Sequence, residues 1–263
     1  MYTEQEAALV AAAQLRAQEH HQQYDPSHDF YHVDRVRRLA LAIAHSLDGV
    51  DLLVVELAAL FHDLIDAKYL PKDAPKATAR DTLDPFWSRH DDQDRQIVDE
   101  ERRRLVERIV DNVSYSKEVK RIAAGQQTEW HFSCLELHCV QDADKLDAIG
   151  AFGIMRCAAY SAIANRPLFV TPPLLPAASL ATVTATNASP GNPSAAPVEE
   201  HCALDHFHAK LFKLEGMMKT RRGKELATRR TETMRRFVDD AEREWAEAVG
   251  GGVGPSEGQR REP

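Results

Sequence analysis

Between Leu52 and Leu60 the chain reads LLVVELAAL, apolar apart from Glu56. Such a run needs burial rather than one wet face, so it is read as a core helix that others must surround. It leads into AALFHDLIDAKYL, Ala58 to Leu70. Apolar positions recur at helical spacing elsewhere: Val36, Leu39, Ala40, Ile43 and Leu47, then Ile97, Leu105, Ile109 and Val113. Asp51 stands where an N-cap of the core helix belongs. Residues 3–23 are rich in Ala, Gln and Glu and read as an amphipathic helix, with His20 and His21 on its solvated face. One helix is expected over 143–164 and a last helical region from about Leu204 to Val249, interrupted near Gly223. Residues 71–95, polar and carrying three Pro, are expected to form a loop or short excursion. No run shows strand alternation, so the predicted fold class is all-α.

Residues 1–249 are expected to form one domain. From Pro167 to Val198 there is no charged residue, and seven of the chain's 13 Pro lie there. That composition offers little to bury and predicts a disordered insertion at 167–198; residues 250–263 read as a flexible tail. The 263 residues carry a net charge of -8, which argues against a general nucleic-acid binder. No apolar run approaches the roughly 18 residues of a membrane span. The first residues lack the basic region of a signal peptide. Four cysteines without a CxxC pair suggest a reduced, cytoplasmic setting.

The core run contains polar groups that cost free energy if buried unpaired: His62, Asp63 and Asp66. His62 and Asp66 are four apart, Asp63 and Asp66 three apart, so they lie close on a helix. Imidazole and carboxylate suit Mn2+ and its neighbours Fe2+, Co2+, Ni2+ and Zn2+, and carboxylates also suit Mg2+. Further ligands must come from other polar groups set in apolar patterning. HDFYHVDRV supplies His28 and His32; CVQDADKLDAIG supplies Asp142, with Lys145 one turn on. His32, His62, Asp63 and Asp142 would give a divalent ion two imidazoles and two carboxylates, with positions left for water and substrate.

HVDRVRRLA, AALFHDLID and VQDADKLDAIGA, in that order, resemble the HD-domain metal-dependent phosphohydrolases. The later HFHAKLFKLEGMMKTRRGKELATRR is similar to the C-terminal helices of the small members that cleave nucleoside triphosphates to monophosphate and pyrophosphate. The resemblance spans roughly residues 24–245, without the Pro-rich insertion. It implies a helical bundle, a divalent cation (Mn2+ first) on His32, His62, Asp63 and Asp142, and a nucleotide substrate. Asp66 is then the expected proton-transfer group and Lys145 a phosphate ligand. Arg156 is left outside the site, because 14 residues of unbroken helix would carry it roughly 21 Å from Asp142. The alternatives are a nucleoside monophosphatase or phosphodiesterase using the same ion, and a non-catalytic metal- or nucleotide-binding module. His28 fits a pocket or a turn cap equally well. The basic run from Lys219 to Arg236 reads as the wet face of a helix, and Met217 and Met218 as core filling.

Overall fold

The computed structural model describes residues 2–22, 24–65, 78–91, 96–170 and 200–249. These residues form helices and connections, with no strand among them. The predicted core helix is α3 (Leu52–Phe61), and every residue from Leu53 to Phe61 is buried, Glu56 included. Asp51 caps it as predicted, its carboxylate accepting from the Leu53 and Val54 amides. Around α3 pack α1 (Glu4–His21), α2 (Phe30–Ala44), α5 (Glu100–Asn112) and α8 (Leu135–Asp147). One apolar core runs through all five and on to Val238 of the C-terminal helix, Arg221–Ala248. Buried Glu56 is offset by two partners: Tyr2 donates to one carboxylate oxygen at 2.5 Å and Arg37 to the other at 2.7 Å.

Three expectations about elements need correction. Within 71–95, residues 79–90 form α4 (Ala79–His90). Thr78 and Asp81 make a reciprocal capping box at its start, and Leu83, Phe86 and Trp87 are buried from one face. Pro85 misleads a sequence reading there, because packing of that stripe carries the helix through it. The expected single helix over 143–164 is two, α8 and α9 (Gly150–Ile163), meeting at 67°. Gly150 makes the corner with φ +76, a conformation other residues rarely adopt. The C-terminal region does not break at Gly223, which lies inside the first turn of the last helix. The breaks fall earlier, around a 3-10 segment at Leu211–Met217. Glycine is needed at 223 for space: a Cβ there would lie 2.3 Å from Oδ2 of Asp142. Of the predicted insertion, 167–170 are described, and the Pro167 and Leu168 carbonyls accept from Ala203 and Leu204. Residues 171–199 and the tail lie outside the described residues.

Candidate metal centre

Three chain segments converge at one end of α3. His62 is the residue on which α3 stops, and Asp63 follows it. His32 sits in the first turn of α2, fixed by Asp29, whose carboxylate accepts from the His32 amide at 3.0 Å. The last turn of α8 closes the third side. His32, His62 and Asp63 each present a ligand atom within 4.8 Å of the others. Asp144 of α8 completes the group: its Oδ1 is 3.7 Å from His32 Nε2 and 3.9 Å from His62 Nε2.

The hydrogen bonds settle which nitrogen of each ring faces the centre. His62 Nδ1 donates to the Ala59 carbonyl at 2.8 Å, and His32 Nδ1 donates to Asp147 Oδ2 at 2.8 Å. Each Nδ1 therefore holds the proton of a neutral ring, and each Nε2 carries a lone pair. These lone pairs face one another across 3.3 Å, with Asp63 Oδ2 3.4 Å from both. Three acceptors converge, two of them on buried rings, and no donor from the described residues stands among them. Such a group needs a cation between its members or a proton on one of them. Two imidazole nitrogens and carboxylate oxygens are the donor set of a first-row divalent ion. In the protein alone a proton fills this role. Burial disfavours the imidazolium of His62, but the Asp63 carboxylate and then Asp144 outweigh it and push its pKa up to about 9. Burial likewise opposes the charge on Asp63, and the His62 and His32 rings overcome it to hold that carboxyl well below its usual range.

Behind His32 stands Asp147, buried and strongly held. Arg35 donates to both its oxygens, at 2.7 and 3.0 Å, and Arg156 to Oδ2 at 3.2 Å. Burial alone would raise the Asp147 pKa; hydrogen bonds from His32 and Arg35 instead keep it ionised far below the normal carboxylate range. A fixed carboxylate on Nδ1 orients the ring and makes Nε2 a better donor to a metal. Arg156, excluded on the assumption of a straight helix, reaches this assembly because the chain turns at Gly150.

Two expected site residues are elsewhere. Asp142 does not join the group. It is fully buried on the opposite side of α8, where its oxygens accept from the Lys219 amide (3.0 and 3.1 Å) and from the amide and hydroxyl of Thr220 (2.8 and 2.7 Å). The physical reason is angular: residues two apart on a helix diverge by about 200°. Asp142 and Asp144 cannot face one ion. Lys145 lies on the Asp142 side, 2% exposed, in an ion pair with Glu118 at 2.7 Å, and Glu118 is paired again with Lys219. That pair holds the Lys145 ammonium on the face of α8 turned from His32 and His62. Asp66 lies outside the described residues. His21, expected on a wet face, is buried. Among groups a sequence reading passes over, Asp144 and Asp147 carry one usable signal: they stand three apart, as do His32 and Arg35 on the facing helix.

Comparison with known proteins identifies the family of the fold. The HD domain family model matches residues 29–149, which contain His32, the His62–Asp63 pair and Asp144. YpgQ of Bacillus subtilis, an uncharacterized protein, is 31% identical over 220 residues, 82% of this chain and 84% of that one. A Lactobacillus plantarum protein of known structure superposes with a TM-score of 0.64 at 30% identity, covering 94% of this chain and all of the other. The crystal structure of YpgQ in complex with ADP superposes with a TM-score of 0.62 at 25% identity, over 91% of this chain and 96% of that one. An HD-superfamily hydrolase from Bacillus thuringiensis matches with a TM-score of 0.62 at 25% identity, over 91% and 98%. Motif order, the helical fold and these relatives agree, and the chain belongs to the HD-domain superfamily of hydrolases.

Proposed function

We propose that this protein is a divalent-metal-dependent phosphohydrolase that cleaves nucleoside triphosphates to monophosphate and pyrophosphate. The observation that carries the metal is the convergence of His32 Nε2, His62 Nε2 and Asp63 Oδ2 within 3.3 to 3.4 Å, with no donor from the described residues among them. His32, His62, Asp63 and Asp144 would hold the ion, Asp144 in place of Asp142. A bound divalent ion supplies Lewis acidity toward a phosphoryl oxygen and lowers the pKa of water. Asp147, through His32, keeps the ligand ring oriented. We assign proton transfer to Asp66 on the sequence spacing of three from Asp63. The nucleotide part of the reading draws support from the B. subtilis relative, whose structure contains ADP.

The test uses protein stripped of metal and reloaded with Mn2+, Mg2+, Co2+ or Ni2+, offered a panel of NTPs, dNTPs and monophosphates. The expected result is metal-dependent release of pyrophosphate with monophosphate, absent in Asp63→Ala. Orthophosphate release from monophosphates would replace the pyrophosphohydrolase reading with a phosphatase. A protein that retains no metal after reloading would end the metal-hydrolase reading.

A further inference from the structure

On the side of α8 that carries Lys145 lies an open cavity of about 420 Å3, within the roughly 300–1,000 Å3 of small-molecule sites. Its walls come from α6 (Tyr115–Ala123), α7 (Glu129–Ser133), the start of α8, and the 3-10 segment with the two residues after it. None of His32, His62, Asp63 and Asp144 lines it. His138, which α8 contributes to it, stands six residues before Asp144, roughly 9 Å along the helix axis.

Three polar groups in this cavity have capacity to spare. His138 is 8% exposed. Its Nε2 donates to the His131 carbonyl at 2.9 Å, so the neutral ring keeps its lone pair on Nδ1. No described residue donates to that Nδ1, and it is not one of the sealed, unpartnered atoms of the protein, so it opens on the cavity. The Gln127 amide also has no partner among the described residues. The Lys219 ammonium gives one proton to Glu118 and has two more to donate. The cavity thus offers an acceptor at His138, a donor at Lys219, and an amide that serves as either.

Between these groups the walls are apolar. Ile122 and Phe132 stand 47% and 65% exposed, and Met217 and Met218 lie beside them. Thioether sulfur and an aromatic face both favour contact with a flat ring. Charge on this side of α8 is already balanced, with Lys145 and Lys219 set among Glu118 and Asp142. An occupant with a net charge would have no counter-ion left to meet it.

We propose that this cavity binds an uncharged, flat heteroaromatic molecule of nucleobase type. A ring N–H or amino group donates to His138 Nδ1, a carbonyl or ring nitrogen accepts from Lys219, and the ring lies against Phe132 and the two methionines. The site is separate from the metal centre and does not depend on the phosphohydrolase reading.

The test is a titration of the full-length, Mg2+-loaded protein, carbon-13 labelled at the methionine methyls. Adenine, uracil and nicotinamide are the probes, with benzoate as a charged ring and cyclohexanol as an uncharged non-aromatic one. At least one heteroaromatic probe should shift the Met217 and Met218 resonances saturably, and neither control should. Phe132→Ala should weaken that binding about 3- to 10-fold, the contribution of one aromatic contact. Phe132 is on the surface, so this variant folds whether or not His138→Phe does. His138→Phe, which removes the acceptor, should weaken binding about 5- to 10-fold. Asp63→Ala should leave it unchanged. The proposal is overturned if no heteroaromatic probe moves either methionine up to its solubility, if benzoate binds as well, or if the shifts survive both the Phe132 and His138 substitutions. Shifts that vanish in Asp63→Ala would make the cavity part of the metal centre's own site and overturn it equally.

Discussion

The two faces of α8 use the same residue types for opposite ends. In QDADKLD, residues 141–147, Asp144 and Asp147 face α2 and the centre, while Asp142 and Lys145 face the C-terminal helix and α6 (Tyr115–Ala123). On the first face a carboxylate is left 26% exposed beside two lone pairs, and another is committed to orienting a ring. On the second the charges are paired within the protein: Asp142 receives three donors from Lys219 and Thr220, and Glu118 pairs with both Lys145 and Lys219. Buried polar groups fully met by the protein hold a fold together, whereas groups left with acceptors facing acceptors await something that is not protein.

The sharpest way to break this contrast is to exchange the same mutation between the faces. Asp144→Asn should cost retained metal and, with it, the several kcal/mol of transition-state stabilisation that an ion supplies, roughly a 10³-fold loss of turnover. Asp142→Asn should leave metal content intact per folded molecule and lower stability by about 3 kcal/mol, because charge-assisted bonds at the start of the last helix are weakened. Metal analysis after dialysis and a denaturation curve on each variant give both numbers. Metal loss confined to Asp142→Asn would invert the assignment.

How far the sequence reached follows from the same helix. The core run, the cap at Asp51, the stripes of α2 and α5, and the His32 and His62–Asp63 positions are all legible, because each is either apolar periodicity or a polar group embedded in it. The choice between Asp142 and Asp144 is not. Along α8, Leu137 through Ala143 and Lys145 through Asp147 are all buried, so no amphipathic asymmetry tells which side faces which neighbour. The rotation of a helix buried all round is set by tertiary partners, here Arg35 on one side and Thr220 on the other, that lie more than 70 residues away in sequence. The bend at Gly150 is hidden for a similar reason. A glycine inside an apolar pattern is compatible with close packing, and only the positive φ reveals a corner. His21 was misplaced because an Ala- and Gln-rich helix gives little contrast between its faces, and Ala17 and His21 turn out to share the buried one.

A gentler pair of variants sharpens the comparison. Lys145→Met leaves Glu118 with Lys219 alone and should cost about 3 kcal/mol, since one partner of a buried ion pair is removed. The substrate KM should not move, and adding Glu118→Gln should return part of the stability. A raised KM in Lys145→Met would put that ammonium back in contact with phosphate. Asp147→Asn keeps an acceptor for the His32 ring but removes the charge that Arg35 and Arg156 hold in place. Metal affinity should fall about 10- to 100-fold, with a smaller change in melting temperature than Lys145→Met produces. Competition against a metal indicator measures the first and calorimetry the second.

The smallest effect, and the one that joins the two faces, is in the pH dependence of the metal-free protein. The His62 pKa is raised from the ordinary 6.5 to about 9 by Asp63 and Asp144, against the opposing effect of burial. A raised folded-state value stabilises fully below the unfolded pKa of about 6.5 and loses that contribution as pH climbs through about 9. Between pH 7 and 8.5 the loss should amount to about 1–2 kcal/mol, at roughly 1.36 kcal/mol per pH unit for each proton bound in the folded state alone. With metal present the proton is replaced, binding releases it, and the melting temperature should be flat over the same interval. Stability curves of Asp144→Asn and Asp142→Asn between pH 7 and 8.5 separate the faces once more: the first should shift the metal-free loss to lower pH, because one of the charges raising the His62 pKa is gone while Asp63 remains, and the second should lower the whole curve. A metal-free wild-type protein whose stability is flat across this range would mean that the acceptors are separated and hydrated, and the case for a cation between them would go with it.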